Sequence, residues 1–320
     1  MDDLDWALLD ELEQNGYQKA DVLAASLDVS KRTVYRRIQI LRRNRIIQVI
    51  AVPNPILLGY EAWAEIGIKV KPGSLKFVGQ QLIEDPLTYS VITSVGEFDI
   101  LTDVFFKTLD ELASFVNLKL TAIKGVTKTE TILLRNPIKY FRLFKSTNGN
   151  LDSSIVQELQ PHTSQDRIEG IDHKIIQLLR KNGIIRLSEM KSSLGIGEST
   201  IRKHIKAMLE RNLFSVEVIT NPSVVKYEAW ATIGLNVDHH FAYDSIDKLV
   251  NNQAVYFVGM TISRFNFVLG VRFRNMELLH QFVKMEIPSL GGVNSVEILP
   301  YTHLLKYHGI TWYEEKVLDK

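Results

Sequence analysis

The hydrophobic positions of the chain follow two alternating periods. Leu4, Leu8, Leu9 and Leu12 recur at helical spacing over 4–15, and Gly16 supplies a stop. Residues 19–27 predict a second helix with Val22, Leu23 and Leu27 turned inward. Asp28-Val29 reads as a tight turn, and Ser30 as the N-cap of a third helix. In that helix Val34, Ile38 and Leu41 form one apolar seam. Arg32, Arg36, Gln39 and Arg43 fall on the opposite face, with Tyr35 and Arg42 at its edge. Residues 46–52 then read as a strand, so the segment predicts a winged helix-turn-helix.

From Glu61 the period shortens. Strands are expected over 61–71, 87–95, 98–107 and 126–134, with helices over 74–84 and 109–120. This β-α-β-β-α-β order is the ferredoxin-like pattern, whose open sheet carries helices on one face. The other face needs a cover, most simply a second copy of itself. Residues 143–170 are polar and mixed and read as a linker, with one short helix over 151–159.

Beyond the linker the chain repeats itself at a constant offset of 167 residues. Asp5 matches Asp172, Asn15-Gly16 matches Asn182-Gly183, and Thr33 matches Thr200. Tyr60-Glu61-Ala62-Trp63-Ala64 matches Tyr227-Glu228-Ala229-Trp230-Ala231, and Lys139-Tyr140 matches Lys306-Tyr307. The expected class is therefore α+β: a winged helix-turn-helix plus a ferredoxin-like βαββαβ domain, the pair repeated twice. The expected domains are 1–52, 53–142, 171–219 and 220–320, with the two βαββαβ domains packed as an intrachain pseudo-dimer.

Charge sharpens this picture. The whole chain carries only +1, so any nucleic-acid site must come from local segregation. Residues 30–45 supply it, with Lys31, Arg32, Arg36, Arg37, Arg42, Arg43 and Arg45 and no acid. An arginine fork suits phosphate oxygens and the acceptor edge of guanine. Arg32, Tyr35, Arg36 and Gln39 are the expected base readers of double-stranded DNA. Lys31, Arg37, Arg42, Arg43 and Arg45 are expected to hold phosphates or orient the helix, with Ser30 and Thr33 at its start. The second recognition helix keeps its seam in Ile201, Ile205 and Met208 and offers Ser199, Arg202, Lys203 and Lys206, with Glu210 among them.

Other chemistry is thin. Without cysteine the chain has no disulfide, thiolate metal site or thiol nucleophile, which suits a reducing, cytoplasmic compartment. The acidic start is unlike a signal peptide, and no run of 18 apolar residues predicts a membrane span. His239-His240 lacks a third ligand at useful spacing, so neither metal nor cofactor is expected. His303 and His308 read as surface residues beyond the last strand, and Gly291-Gly292 as a turn. Trp63 and Trp230 occupy equivalent strand positions and read as sheet-face packing.

The run Leu4-Asp5, Leu8-Leu9, Gly16, Leu23-Ala24, Val29-Ser30, Thr33-Val34, Arg36-Arg37-Ile38, Leu41 and Ile46-Ile47 resembles the helix-turn-helix of the Lrp/AsnC (feast/famine) transcription regulators. Val95-Gly96-Glu97-Phe98-Asp99-Ile100-Leu101, with the later Gly125-Val126, resembles that family's βαββαβ effector domain. The resemblance implies DNA binding, pairing through the sheet faces, self-association of chains, and an amino acid or other small effector. A ligand site is expected at the turn bearing Ser94, Gly96, Glu97 and Asp99 and at its counterpart bearing Ser263, Arg264 and Asn266. There Gly96 would allow close approach and Arg264 would pair a carboxylate. The same architecture occurs in siroheme decarboxylases, an enzymatic alternative that needs cationic and imidazole groups around a tetrapyrrole. The histidines of this chain do not cluster that way in sequence.

Overall fold

The computed structural model describes residues 1–56, 58–140, 170–221, 227–238 and 248–312, with 168, 224 and 240. The linker expected over 143–170, its short helix and His239 lie outside these residues, apart from 168 and 170. The chain divides into two compact units. One joins 1–58 to 164–225, and the other joins 59–163 to 226–320.

The first unit holds both helix-turn-helix motifs. In the first copy α1 (Asp3–Asn15), α2 (Ala20–Ser26) and α3 (Lys31–Arg43) precede β1 (Ile47–Pro53). Leu8, Leu9, Leu12, Leu23, Val34, Ile38 and Leu41 form their common core. Val22, expected inward, is half exposed, and the smaller Ala20 and Ala24 take the buried positions of α2. The second copy follows after the linker, where α6 (Gly170–Lys181), α7 (Leu187–Leu194) and α8 (Glu198–Glu210) precede β6 (Phe214–Thr220). β1 and β6 form an antiparallel two-stranded ribbon in which Ile50 faces Glu217, its own counterpart 167 residues on. The ribbon therefore has a local pseudo-two-fold axis. Val218 of the second copy completes the first copy's core. Gly183 lies so close to β1 that a Cβ would sit 3.0 Å from the Ile50 backbone, and its N–H donates to Val49 O at 2.7 Å.

The second unit holds both βαββαβ domains. Its first copy runs β2 (Ala62–Val70), α4 (Leu75–Glu84), β3 (Val91–Ser94), β4 (Ile100–Phe106), α5 (Leu109–Ser114) with a π-helical extension over Phe115–Leu120, and β5 (Val126–Tyr140). The second runs β7 (Ala229–Val237), a described helical turn at 248–251, β8 (Val255–Ile262), β9 (Phe267–Phe273), α9 (Met276–Gln281) with its own π-helical extension, and β10 (Val293–Tyr307). A short β11 (Ile310–Thr311) ends the described chain.

The two sheets do more than stack. β5 and β10 span fifteen residues each, longer than the strand expected over 126–134. The first half of each pairs inside its own sheet, as Trp63 with Leu134 and Ala231 with Pro300 show. The second half crosses over: β5 pairs with β8 from Leu133 to Tyr140, and β10 with β3 from Tyr301 to Lys306. The strand order closes on itself, β10-β3-β4-β2-β5-β8-β9-β7 and back to β10. Closure removes the sheet edges that an open pair would expose. Arg135-Asn136-Pro137 hid the continuation, because proline cannot donate to a ladder. The register shifts on both sides of Pro137 accommodate it.

Strand alternation then sorts the side chains. Ala62, Ala64, Ile66 and Ile68 of β2 face the first copy's helices, with Val78, Leu82 and Leu112. Trp63 and Glu65 point the other way, into the interior of the closed sheet.

Candidate nucleic-acid interface and ligand sites

Helix α3 is fixed at both ends by its own sequence. Ser30 Oγ accepts from the Thr33 N–H at 3.1 Å, a cap worth about 1 kcal/mol. Arg42 and Arg43 fall in the last turn, where cations favour the helix dipole. The helix stops as Arg45 turns to φ 53°, with Ile46 N–H returning to Leu41 O at 2.8 Å. Its counterpart Asn212 ends α8 in the same way at φ 52°. Val34, Ile38 and Leu41 are almost fully buried, each stabilising the packing by roughly 1.5–3 kcal/mol. That leaves Arg32, Tyr35, Arg36, Gln39 and Arg43 exposed on the far face.

The remaining basic residues are already occupied to different degrees. Arg37 turns away from that face, pairing with Asp2 at 2.6 Å and Asp5 at 3.1 Å. It locks α3 to the start of α1, so of its two expected roles the geometry favours orienting the helix. Lys31 pairs with Asp21 at 2.7 Å in the open, and Arg42 reaches Asn182 Oδ1 of the second copy at 3.4 Å. Arg45 is exposed beyond the helix end.

Helix α8 is built on the same plan with weaker charge. Gly197 occupies the cap position without a side-chain bond. Ser199, Arg202, Lys203 and Lys206 are exposed, and Lys206 lies 3.7 Å from Glu210. His204 replaces Arg37 and Asp172 replaces Asp5, their side chains 2.6 Å apart.

The turn expected to take a ligand is tied up internally. Asp99 accepts from Lys69 Nζ at 2.9 Å and from the Val70 N–H at 2.8 Å. Asn266 keeps the second copy's turn by bonding both polar backbone groups of Val237. Gly96 does hold a left-handed φ of 109°, with open space around it. Ser94 Oγ crosses to Pro300 O at 2.7 Å, and Ser263 Oγ lies 2.9 Å from Thr261 Oγ1. Arg264, expected to pair a ligand carboxylate, instead meets three carboxylates of the protein. Glu97 lies at 2.7 Å, Glu130 at 2.9 Å and Glu297 at 2.6 Å. The Arg264 and Lys128 hydrogen bonds hold the Glu97 carboxyl down at about 2.

A second site lies inside the closed sheet, where the two copies enclose a chamber of about 50 Å³. Glu65, Asp103, Trp63, Tyr89, Phe257 and His308 are among its walls. Burial raises the carboxyl pKa values of both Glu65 and Asp103, and the Asp103 charge pushes Glu65 further. His308 is buried rather than at the surface, because the chain turns back after β10. Its Nδ1 lies 2.9 Å from Tyr89 Oη, and burial drives the imidazole down to about 3. His303, within β10, is exposed as expected. Trp63 packs on Phe105, Tyr140 and Phe257, and Trp230 on Tyr227, Tyr256 and Tyr307. Glu65 and Asp103 were not among the residues expected from sequence. The available signal was a charge on the strand face that the second copy is expected to cover, opposite the helix-packed apolar row.

Comparison with known proteins bears on the whole arrangement. The family model of an HTH domain matches residues 7–61, and that of the Lrp/AsnC ligand binding domain matches residues 64–143. An uncharacterized HTH-type transcriptional regulator of Pyrococcus furiosus is 33% identical over 147 residues, 45% of this chain and 99% of the relative. The chain belongs to the Lrp/AsnC family of HTH-type transcriptional regulators. A further relative, the HTH-type transcriptional regulator FL11 of Pyrococcus furiosus, is 30% identical over 135 residues, 42% of this chain and 89% of its own length. Each relative is thus matched over less than half of this chain, as a single repeat would be. Among solved structures, the siroheme decarboxylase NirDL is similar at a TM-score of 0.62 and 14% identity, covering 99% of this chain and 97% of its own. That likeness concerns the fold alone. Among the described residues, no helix is long and apolar enough to cross a membrane, and no group of three metal-ligating side chains occurs.

Proposed function

We propose that the chain is a sequence-specific DNA-binding regulator in which α3 enters the major groove. The observation that carries this reading is the exposed row Arg32, Tyr35, Arg36, Gln39 and Arg43 opposite a buried seam. Arg32, Tyr35, Arg36 and Gln39 meet base edges, while Lys31, Arg42, Arg43 and Arg45 meet phosphates. Ser30 and Thr33 set the helix start, and Arg37 orients the helix from behind. Ser199, Arg202, Lys203 and Lys206 make the second, weaker contact. The family's ligand domain supports response to a small molecule such as an amino acid, further association of chains, and a cytoplasmic setting. Of the turn residues, Gly96 offers open space for such a ligand, while Ser94 is buried and the Arg264 fork is filled.

Selection of bound DNA from a random pool tests the reading. Arg36→Ala should cost about 1–3 kcal/mol of discrimination at one base. Arg43→Ala should weaken all sequences alike and flatten the salt dependence. Unchanged binding to the selected site by the Arg32→Ala/Arg36→Ala double variant would refute it.

The full-length fold likeness to NirDL raises a second reading, decarboxylation of siroheme. The chamber argues against it. At about 50 Å³ it is far smaller than a tetrapyrrole, and no lysine or arginine is among its described lining residues. Siroheme is a polycarboxylate, and the ionised Asp103 carboxylate would repel it. A siroheme titration followed by absorbance separates the two, since a saturable spectral change would favour the enzyme.

A further inference from the structure

The chamber inside the closed sheet exceeds the roughly 10–15 Å³ that one water needs, so it can hold several waters or a small organic molecule. Its first-copy side carries Glu65 and Asp103, directly opposite each other on β2 and β4. Glu65 is only 7% exposed. One of its oxygens accepts from Thr232 Oγ1 at 2.8 Å, while the other has no partner among the described residues. Asp103 accepts from Ser90 Oγ at 2.5 Å. Glu65 is buried and Asp103 half-buried. Once ionised, such a neighbouring pair is costly unless something positive reaches it, and otherwise the carboxyls hold their protons.

The duplication has shaped this chamber asymmetrically. The counterpart of Glu65 is Thr232 and that of Asp103 is Gly270. A Cβ at Gly270 would lie 2.6 Å from the Tyr256 ring, which fills the space a second aspartate would need. Two identical copies would bring four carboxylates together. This chain keeps two, on one side, and faces them with hydroxyl groups: Tyr301 Oη lies 2.7 Å from Thr232 Oγ1. Trp63 and Phe257, with ring centroids 5.3 Å apart, add aromatic walls.

We propose that the chamber binds a small organic cation of the alkylammonium class. Its N–H groups donate to Glu65 and Asp103, and its alkyl body lies against Trp63 and Phe257. A divalent metal fits less well, because no third acidic or imidazole ligand joins the pair among the described residues. The site is separate from the β3–β4 turn and does not depend on DNA binding.

Calorimetry on the full chain, with tryptophan fluorescence in parallel, tests this. The probes are methylammonium and ethylammonium chloride, against ethanol, sodium acetate, sodium chloride and magnesium chloride. The expected result is saturable binding of an alkylammonium ion, one per chain, and none of the others. Measured above pH 8, where the Glu65 carboxyl is ionised, Glu65→Gln, which preserves the acceptor for Thr232, should weaken binding at least about tenfold, the loss expected of a charge-assisted bond. Asp103→Asn should also weaken it, and the unfolding midpoint of each variant reports that the fold survives. Failure of both ammonium ions to bind, equal affinity in a folded Glu65→Gln variant, or occupancy by magnesium or ethanol would overturn the proposal.

Discussion

Adjacent residues of one helix can have opposite fates, and the contacts explain why. Arg36 is exposed while Arg37 is held by Asp2 and Asp5, because the helical turn puts one on the solvent side and the other over α1. Glu65 shows the same principle where it costs stability. The carboxyl titrates from an ordinary 4.5, and burial, then the charge of Asp103, raises it to about 8 in the fold. The folded chain therefore keeps this proton over a range in which the unfolded chain has lost it. The resulting stability is fully present below 4.5 and is lost as pH rises through about 8. Glu65→Gln cannot titrate, so in amine-free buffer it should gain on the wild type across that window. The gap should reach roughly 4–5 kcal/mol at the alkaline end. Denaturant titrations at several pH values measure it, and a difference that does not change with pH would show that Glu65 is not the titrating group.

At the scale of elements, the contacts between copies are made by residues that have diverged from each other. Glu97 and Arg264 occupy equivalent positions, and they meet as an ion pair where two identical copies would place like charges. Glu65 and Thr232 repeat the pattern. Arg264 is surrounded by three acids, so Arg264→Glu gathers four carboxylates at one spot, whereas Glu97→Arg leaves Glu130 and Glu297 to hold Arg264. Arg264→Glu should therefore lower the unfolding midpoint more. The difference should be about 1 kcal/mol, because these side chains are roughly one-third exposed, and 1 M salt should shrink it. Equal midpoints for both variants at low salt would count against this pairing. Such contacts were only partly legible in the sequence. The seam of α3 was readable because Val34, Ile38 and Leu41 repeat within three turns of one helix. The crossing halves of β5 and β10 were not, because Pro137 reads as a stop and the partners of β5 lie about 120 residues away. The role of Arg264 also needed the structure, since Glu97, Glu130 and Glu297 come together only when the sheet closes.

At the scale of the molecule, each unit pairs the two copies of one module. The repeat at 167 residues made that duplication readable, whereas closure of the sheet depends on hydrogen bonds that no residue pattern displays. The consequence for recognition follows from the first unit alone. Its β1–β6 ribbon relates two unlike recognition helices by a pseudo-two-fold axis. Arg32 corresponds to Ser199, Arg36 to Lys203, Gln39 to Lys206 and Arg43 to Glu210. Arginine can make a bidentate contact with guanine, but lysine offers only a point charge. A symmetric dimer with identical helices selects a palindrome with half-sites roughly 34 Å apart. One copy of this chain should instead select a site with one sharp half, read by α3, and one blurred half under α8. Two chains joined by a two-fold axis should restore symmetry only over the doubled site, as sharp-blurred-blurred-sharp or its inverse. Converting α8 with Ser199→Arg/Lys203→Arg/Lys206→Gln/Glu210→Arg should sharpen the weak half without changing the strong one. Footprinting on selected DNA reads this directly. Two equally informative inverted half-sites under a single unmodified chain would show that α8 reads bases as α3 does.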